Sequence, residues 1–290
     1  MSYWSRVTLG LLVNIILFAS GAAAAPITID WSTEDDLTTP LVNGQSVSTF
    51  VDQQPTDTVF EFGNLFNLST NQFGSDGHLG AAIFDSTPNG PNDDGGVQPV
   101  AEDPDLLVDR GNILILQNDD SPGSSIDPTF GLIFDVPNDE RSADDDGSLV
   151  LDFLVPVELE SIVLVDINGG VNVIVTMVDG DGRERVYDVP QKWTNDVTVA
   201  PVGFDTLMLN TLAPQDGEGS GGDATATEDP GFNPLDVHQL EVAFLANPGT
   251  SSGGIDDIVF TVVPEPSTWA LSVIGAAFFC GLVKRRRRFA

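Results

Sequence analysis

Hydrophobic and polar residues alternate in short runs along most of the chain, as they do in half-buried β-strands. Between residues 25 and 262, no segment keeps the apolar spacing of a helix for more than about two turns. Many of the 29 glycines and 19 prolines separate the runs, where they favour turns. The runs that predict strands are Ile27–Trp31, Thr58–Phe62, Ala81–Phe84, Ile113–Gln117, Thr129–Asp135, Ser148–Val155, Ser161–Asp166, Val171–Val178, Glu184–Val189, Val197–Ala200, Phe204–Leu209, Gln239–Leu245 and Ile255–Val262.

About a dozen short strands separated by turn residues predict an all-β domain over residues 25–262, a β-sandwich of jelly-roll type. The segment Asp179–Arg183 (Asp-Gly-Asp-Gly-Arg) joins two of the strands. It favours a hairpin turn over a calcium loop, because the later ligands of an EF-hand are missing. Two longer segments, Thr87–Asp105 and Ala213–Pro234, have the composition of loops, and the second is compatible with a mobile insertion.

The N-terminal segment has a different pattern, with one apolar run behind a basic residue. Arg6 precedes the apolar stretch Val7–Phe18, and small residues follow it up to Ala25. This order predicts a secretory signal peptide over residues 1–24, an apolar helix that signal peptidase removes. An uncleaved membrane anchor is the alternative, but the run is short for one.

The C-terminal segment, residues 263–290, places three features in a fixed order. An extended peptide with two prolines comes first, an uncharged apolar run over residues 267–283 follows, and a basic tail over 284–290 closes the chain. The apolar run is barely long enough for a single transmembrane helix, which needs ~20 residues, and the basic tail is expected to stay in the cytoplasm. The peptide consists of Val263, Pro264, Glu265 and Pro266, and the basic cluster consists of Lys284, Arg285, Arg286, Arg287 and Arg288.

Because these parts occur together and in order, residues Val263 to Ala290 resemble the PEP-CTERM sorting signal of Gram-negative and related bacteria, also called the ice-binding protein C-terminal domain. The resemblance implies recognition by an exosortase, a membrane transpeptidase-like enzyme that cuts near Pro264-Glu265-Pro266. It implies a membrane-anchored precursor whose domain then passes to the envelope, the outer surface or the medium. A plain C-terminal anchor is the alternative, and on either interpretation these are substrate residues, not catalytic ones.

A second resemblance covers roughly residues 80 to 170. Phe84-Asp85-Ser86, an Asn/Gly/Asp-rich loop, Gly111–Ile115, Pro137–Glu140 and Leu164–Ile167 follow one another in an order similar to that of extracellular β-sandwich modules in exported bacterial proteins. The loop departs from that pattern at Pro91-Asn92, where a second glycine is expected. The resemblance implies a β-sandwich fold and no particular activity.

The charge of the chain narrows the choice of partner. There are 44 acidic and 11 basic residues, net −33, and the terminal segments hold six of the bases and one acid. Residues 25–262 therefore carry 43 acids against five bases, which argues against nucleic acid and anionic lipid headgroups as partners. The one cysteine, Cys280, lies in the C-terminal apolar run, so thiol chemistry in the exported domain is excluded.

Clustered acids in predicted loops suggest a structural calcium site, since Ca²⁺ takes several carboxylate and carbonyl oxygens at once. Solvated surface acid is the alternative for each of them. The candidate ligands are Asp85, Asp93, Asp94, Asp139, Asp166, Asp256 and Asp257.

The predicted function is that of a non-catalytic cell-surface or extracellular-matrix protein. No H-E-x-x-H or P-loop motif is present, and carboxylates are too abundant for a pair of them to indicate a glycosidase. A carbohydrate-binding module, with exopolysaccharide as partner, is the first alternative, and a row of exposed aromatic side chains would favour it. A glycan-active hydrolase is a weaker alternative, which a cleft with two buried carboxylates would favour.

Overall fold

A computed structural model gives the fold of most of the domain over residues 25–262. It describes residues 25–33, 40–47, 60–62, 65–73, 80–90, 106–117, 124–137, 146–167, 170–195, 203–246 and 253–264. One compact unit comprises Pro26–Val262, and the strands below belong to it. The predicted signal helix and C-terminal helix, the strand Val197–Ala200 and the calcium candidates Asp93, Asp94 and Asp139 lie outside the described residues.

The prediction of an all-β fold is confirmed: every regular element of more than one turn in the described residues is a strand, and the strands pair antiparallel. In chain order the strands are β1 (Ile27–Ile29), β2 (Phe60–Phe62), β3 (Phe66–Phe73), β4 (Ala81–Asp85), β5 (Asn112–Leu116), β6 (Ser124–Asp127), β7 (Gly131–Phe134), β8 (Asp146–Val165), β9 (Val171–Asp179), β10 (Glu184–Val189), β11 (Phe204–Met208), β12 (Thr225–Glu228), β13 (Val237–Ala246) and β14 (Gly254–Val262).

Strand β8 is 20 residues long and joins two groups of strands. Its first half pairs with β13 and β3, in the order β12-β10-β9-β13-β8-β3-β2. Its second half pairs with β14 and β11, in the order β11-β8-β14-β5-β4. Pro156 lies between the two halves, where the ladder to β13 breaks register and the missing N–H of proline costs no sheet hydrogen bond.

One main core receives side chains from both groups of strands. Phe153, in the first half of β8, packs edge-on against Phe66 of β3 and against Phe260 of β14, with ring centroids 5.8 and 5.3 Å apart. A smaller core covers the other face of β4 and β5 and includes Phe84 and Phe134. The strands β4 and β5 are therefore buried on both faces, which explains their continuous apolar runs.

Two β-bulges interrupt the ladder between β8 and β14 and compensate each other. Between the pairs Ile255–Leu164 and Ile258–Ile162, β14 has one extra residue. Between the pairs at Val259 and Phe260, β8 has the extra residue, Glu160. Each bulge shifts the inward alternation of its strand by one, so both strands keep apolar side chains facing the main core.

The segment predicted as compatible with a mobile insertion is a packed part of the fold. Strand β12 lies within it and pairs with β10. Ahead of β12, the backbone amides of Gly219 and Gly221 donate to the carbonyls of Trp193 and Lys192, both at 2.8 Å. Alternate glycines at 217, 219 and 221 allow this approach, because a Cβ on any of them would lie under 3.0 Å from the facing chain. The composition of a flexible loop here reflects close backbone packing.

Other strand predictions need correction in their bounds. Ser148–Val155 and Ser161–Asp166 are parts of one strand, β8. The run Thr129–Asp135 is the turn and second strand of the hairpin β6–β7. The run Ile27–Trp31 ends early because Trp31 has a φ of +55°, which no extended strand accommodates. Strands β3, β6 and β12 were not predicted, because Ser, Thr and Asn occupy their polar positions.

The substitution Gly219→Ala tests the packed glycine segment. We expect it to lower the free energy of unfolding by at least about 2 kcal/mol, because the new methyl group would overlap backbone carbonyls that cannot rotate away. Urea denaturation of residues 25–262, followed by the fluorescence of Trp31 and Trp193, measures the effect.

The matched control is Ser220→Ala, which alters the exposed neighbour and adds no atom facing the 191–194 segment. It is expected to change the unfolding free energy by no more than ~0.5 kcal/mol. Equal effects for the two variants would contradict the packing described.

Candidate functional site

Both ends of the compact unit emerge beside each other. Strand β1 pairs antiparallel with β14, so that Ile27 lies opposite Phe260 and Ile29 opposite Ile258. The first strand after the predicted signal peptide is thus the neighbour of the last strand before the predicted sorting motif. Because the pairing is antiparallel, the start of β1 and the end of β14 point to the same end of the sheet.

Strand β14 holds its place in the sheet up to its last residues. It pairs with β8 from Gly254 to Val262 and, on its other side, with β5 and then with β1. Phe260 is fully buried, and Val262 is partly buried against the main core. Val263 is half-buried and Pro264 is exposed, and neither belongs to a strand.

The remaining predicted sorting residues, Glu265, Pro266 and Lys284 to Arg288, lie outside the described residues. Within the part of the chain that the structure describes, no helix has both the length and the apolar character needed to cross a membrane.

An ionic cluster of three charged side chains forms at the bulge in β14. Arg110, from the segment before β5, donates through Nε to Asp256 and through Nη2 to Asp257, the latter at 2.6 Å. Its guanidinium lies 4.7 Å from the ring centroid of Phe204 in β11. The cluster links three segments far apart in sequence, and with all three groups ionised its net charge is −1.

The bulge explains why two successive carboxylates reach one guanidinium. In a regular strand neighbouring side chains point to opposite faces, whereas the extra residue in β14 brings Asp256 and Asp257 to the same partner. The indole N–H of the fully buried Trp31 donates to the carbonyl of Asp256 at 3.2 Å. Asn112 donates from its side-chain amide to the carbonyls of Trp31 and Leu41, each at 3.1 Å, and so fixes the strained backbone at Trp31.

Burial dominates the electrostatics of Asp256, which is 1% exposed. Burial raises its pKa to about 6, and the hydrogen bond and charge of Arg110 oppose the rise. At neutral pH the Asp256 carboxylate is therefore ionised but close to its titration range. A raised pKa means that the folded state holds the proton more tightly than the unfolded state does.

Asp179, at the hairpin predicted from Asp-Gly-Asp-Gly-Arg, has the opposite shift. The hairpin is confirmed, since β9 and β10 pair from Val173–Val189 to Val178–Glu184. Burial alone raises the Asp179 pKa, but the backbone amides of Arg183, Asn233 and Asp181, together with the charge of Arg183, hold the pKa below its usual value. Its two carboxylate oxygens accept these bonds at 2.9 Å each. The carboxylate is thus engaged by protein donors and fastens the hairpin to the loop before β13.

The structure does not bring the described calcium candidates together. Asp85 ends β4 and Asp166 follows β8, and β5 and β14 lie between these strands. Three strand spacings amount to ~14 Å, too far for one cation whose ligands lie at ~2.4 Å. Asp256 and Asp257 are bound by Arg110 instead. Among the described residues, no three Asp, Glu, His or Cys side chains gather closely enough to hold a metal ion.

The tryptophans and the tyrosine among the described residues lie in the core. Trp31 and Tyr187 are fully buried, and Trp193 is 1% exposed. The Tyr187 hydroxyl donates to the carbonyl of Leu209 at 2.6 Å, and burial raises its pKa. Of the large hydrophobic side chains that the described residues expose, none is aromatic: they are Ile126, Leu154, Met208, Leu212 and Leu235.

Sequence reasoning missed the role of the arginines. Among the described residues, the acidic partners of Arg110 are distant in sequence, and its contact to Asp256 spans 146 positions. Arg185 is 7% exposed, binds Glu228 on the neighbouring strand, and donates to the carbonyl of Leu209 at 3.0 Å. The signal available in the sequence was the scarcity of basic residues: five bases among 43 acids are each expected to pair with a carboxylate.

Comparison with protein-family models gives no match for this chain, and comparison with curated proteins gives no significant one.

The substitution Asp256→Asn tests the ionic cluster through pH. The pKa of Asp256 is raised from 3.8 to about 6 in the folded state, so protonation of Asp256 stabilises the fold. This stabilisation is fully present below pH 3.8 and is lost as the pH rises through 6. Relative to wild type, the variant is expected to gain up to about 3 kcal/mol of unfolding free energy between pH 4 and pH 7, since one pKa unit is worth ~1.4 kcal/mol.

Urea denaturation of wild type and Asp256→Asn at each pH isolates the contribution of Asp256 to the unfolding free energy. The opposite contribution of Asp179 is the same in both proteins and cancels in the difference. Asp257→Asn is the control: it removes the other carboxylate of the cluster, which is 31% exposed. A difference between wild type and Asp256→Asn that does not change with pH would refute the assigned cluster.

Proposed function

We propose that this chain is an exported, non-catalytic cell-surface or extracellular-matrix protein whose C-terminal tail is recognised and cut by an exosortase-type enzyme. The domain over residues 25–262 is a β-sandwich, of jelly-roll type, which first stands on a membrane-anchored precursor. Signal peptidase releases its N-terminus, and the second enzyme acts at Val263–Pro266. The strand β8 shared by two groups of strands and their common core support the sandwich.

The observation that carries the proposal is the geometry of the two ends. The two predicted processing points flank the neighbouring strands β1 and β14, and both ends emerge at the same end of this pair. A domain made between two membrane-directed segments needs its ends on one side, and this fold supplies that arrangement. Pro264 is exposed two residues after the last strand, as an enzyme substrate must be.

The described carboxylates favour a structural role over a catalytic one. Asp256 and Asp257 bind one guanidinium, so they cannot flank a glycosidic bond from two sides as a hydrolase pair does. The Asp179 carboxylate is engaged by backbone amides. Calcium binding through Asp93, Asp94 or Asp139 stays a separate prediction, as does binding of exopolysaccharide.

The sorting proposal is tested in the producing cell with the triple variant Pro264→Ala, Glu265→Ala, Pro266→Ala. Wild type is expected at the cell surface or in the medium as a product whose mass lacks residues 267–290. The variant is expected to accumulate in the membrane fraction with these residues retained, because the motif that the enzyme reads is gone. Mass spectrometry of domain captured by antibody measures both.

The control combines Pro214→Ala with Glu218→Ala, which changes two exposed residues far from the tail in sequence. It should be processed as wild type is. Retention of residues 267–290 in wild type at every location would show a plain membrane anchor, and identical processing of the triple variant would exclude recognition of the motif.

A further inference from the structure

We propose that the β1–β14 pair is a clasp that sets the upstream limit of tail processing. The folded domain keeps the chain in the sheet through Val262, so an enzyme has access to Val263 and later residues only. This inference rests on the proposed sorting function for its biological meaning, while the clasp itself is a property of the fold.

Main-chain pairing is the first part of the restraint on the end of β14. Phe260 pairs with Leu159 of β8 on one side and with Ile27 of β1 on the other. Thr261 and Val262 still pair with β8. Enzymes and other binders capture extended peptides through main-chain hydrogen bonds along a free edge. Ile258 to Phe260, which have a sheet neighbour on each side, cannot form those bonds, and Thr261 and Val262 are held on the β8 side.

Side-chain packing is the second part. Phe260 is fully buried and contacts the Phe153 ring, and Val262 packs against the main core. The Thr261 hydroxyl donates to the Glu160 carboxylate at 3.0 Å, at the bulge of β8. An enzyme that needs residues upstream of Val263 must pull these side chains out of the domain.

The third part is the position of β1. Its three residues cover the side of β14 that β5 leaves uncovered, from Ile258 to Phe260. Ile27 is only two residues beyond Ala25, the predicted mature N-terminus. Removal of the signal peptide leaves β1 close to the new N-terminus, and β1 protects the segment of β14 that precedes the proposed tail cleavage site. The stability of the β1 pairing therefore influences where the tail can be cut.

The test uses the full chain in detergent-solubilised membranes, digested with proteinase K, a protease of low specificity. The C-terminal residue of the protected fragment is read by mass spectrometry, while buried-tryptophan fluorescence reports that the domain is folded. The wild-type fragment is expected to end at Val262 or later. A fragment that ends before Val262 in the folded protein overturns the clasp.

The clasp variant is Thr28→Pro with Ile29→Pro. Successive N–H groups of a strand face opposite edges, so one of the two lost donors faces β14. Its fragment is expected to end upstream, within 256–261. The matched control Thr28→Ala with Ile29→Val keeps both donors and should end as wild type does, and identical ends for variant and control overturn the part played by β1.

If the proline variant does not fold, Ile27→Ala decides instead. It removes the side chain opposite Phe260 without changing the backbone, and a share of its fragments is expected to end within 258–261. Ends identical to wild type overturn the inference. The two proposals fail separately: an uncut tail in the cell with protected β14 refutes sorting alone, whereas a cellular cut inside β14 refutes the clasp alone.

Discussion

The compensating pair of bulges between β8 and β14 is the constraint on which the rest of the fold depends. Without the extra residue in β14, Ile258 and Phe260 would turn away from the main core, and without Glu160 in β8, Leu159 and Val157 would do the same. The bulge in β14 also brings two carboxylates to Arg110, which connects the segment before β5 to β11. The bulge in β14 therefore keeps apolar side chains in the main core and also positions the carboxylates that bind Arg110.

Strand β14 gains its importance from this arrangement. It is the last strand of the domain, yet it lies inside the sheet, with β8 on one side and β5 and β1 on the other. When a chain is tethered or cut at its C-terminus, its last strand is the part of the fold nearest to the pull or the cut. Here the last strand cannot leave without exposing Phe260 and breaking the pairing that holds β1, so both ends of the domain are held by one ladder.

Local patterns predicted the all-β class and the hairpin around Asp179, because alternation and turn residues lie within a few positions of each other. They failed where long-range contacts decide. The runs Ser148–Val155 and Ser161–Asp166 predicted two strands, but both belong to β8, and Pro156 between them lies where the ladder to β13 is already broken. The glycines at 217, 219 and 221 suggested a loose loop, but the backbone of the 191–194 segment lies against them. Asp256 and Asp257 suggested a cation site, and the cation that binds them is an arginine 146 residues earlier.

Strand β14 is locked in the sheet to its end by β8, and as far as Phe260 also by β1. Native-state hydrogen exchange of the full chain measures this most directly, since each amide reports the free energy of the opening that exposes it. The account predicts that the sheet-bonded amides of Ile258 to Val262 exchange as slowly as those of Leu159 to Val165 in β8, through opening of the whole domain. Fast exchange of the end of β14 while β8 stays protected would contradict it.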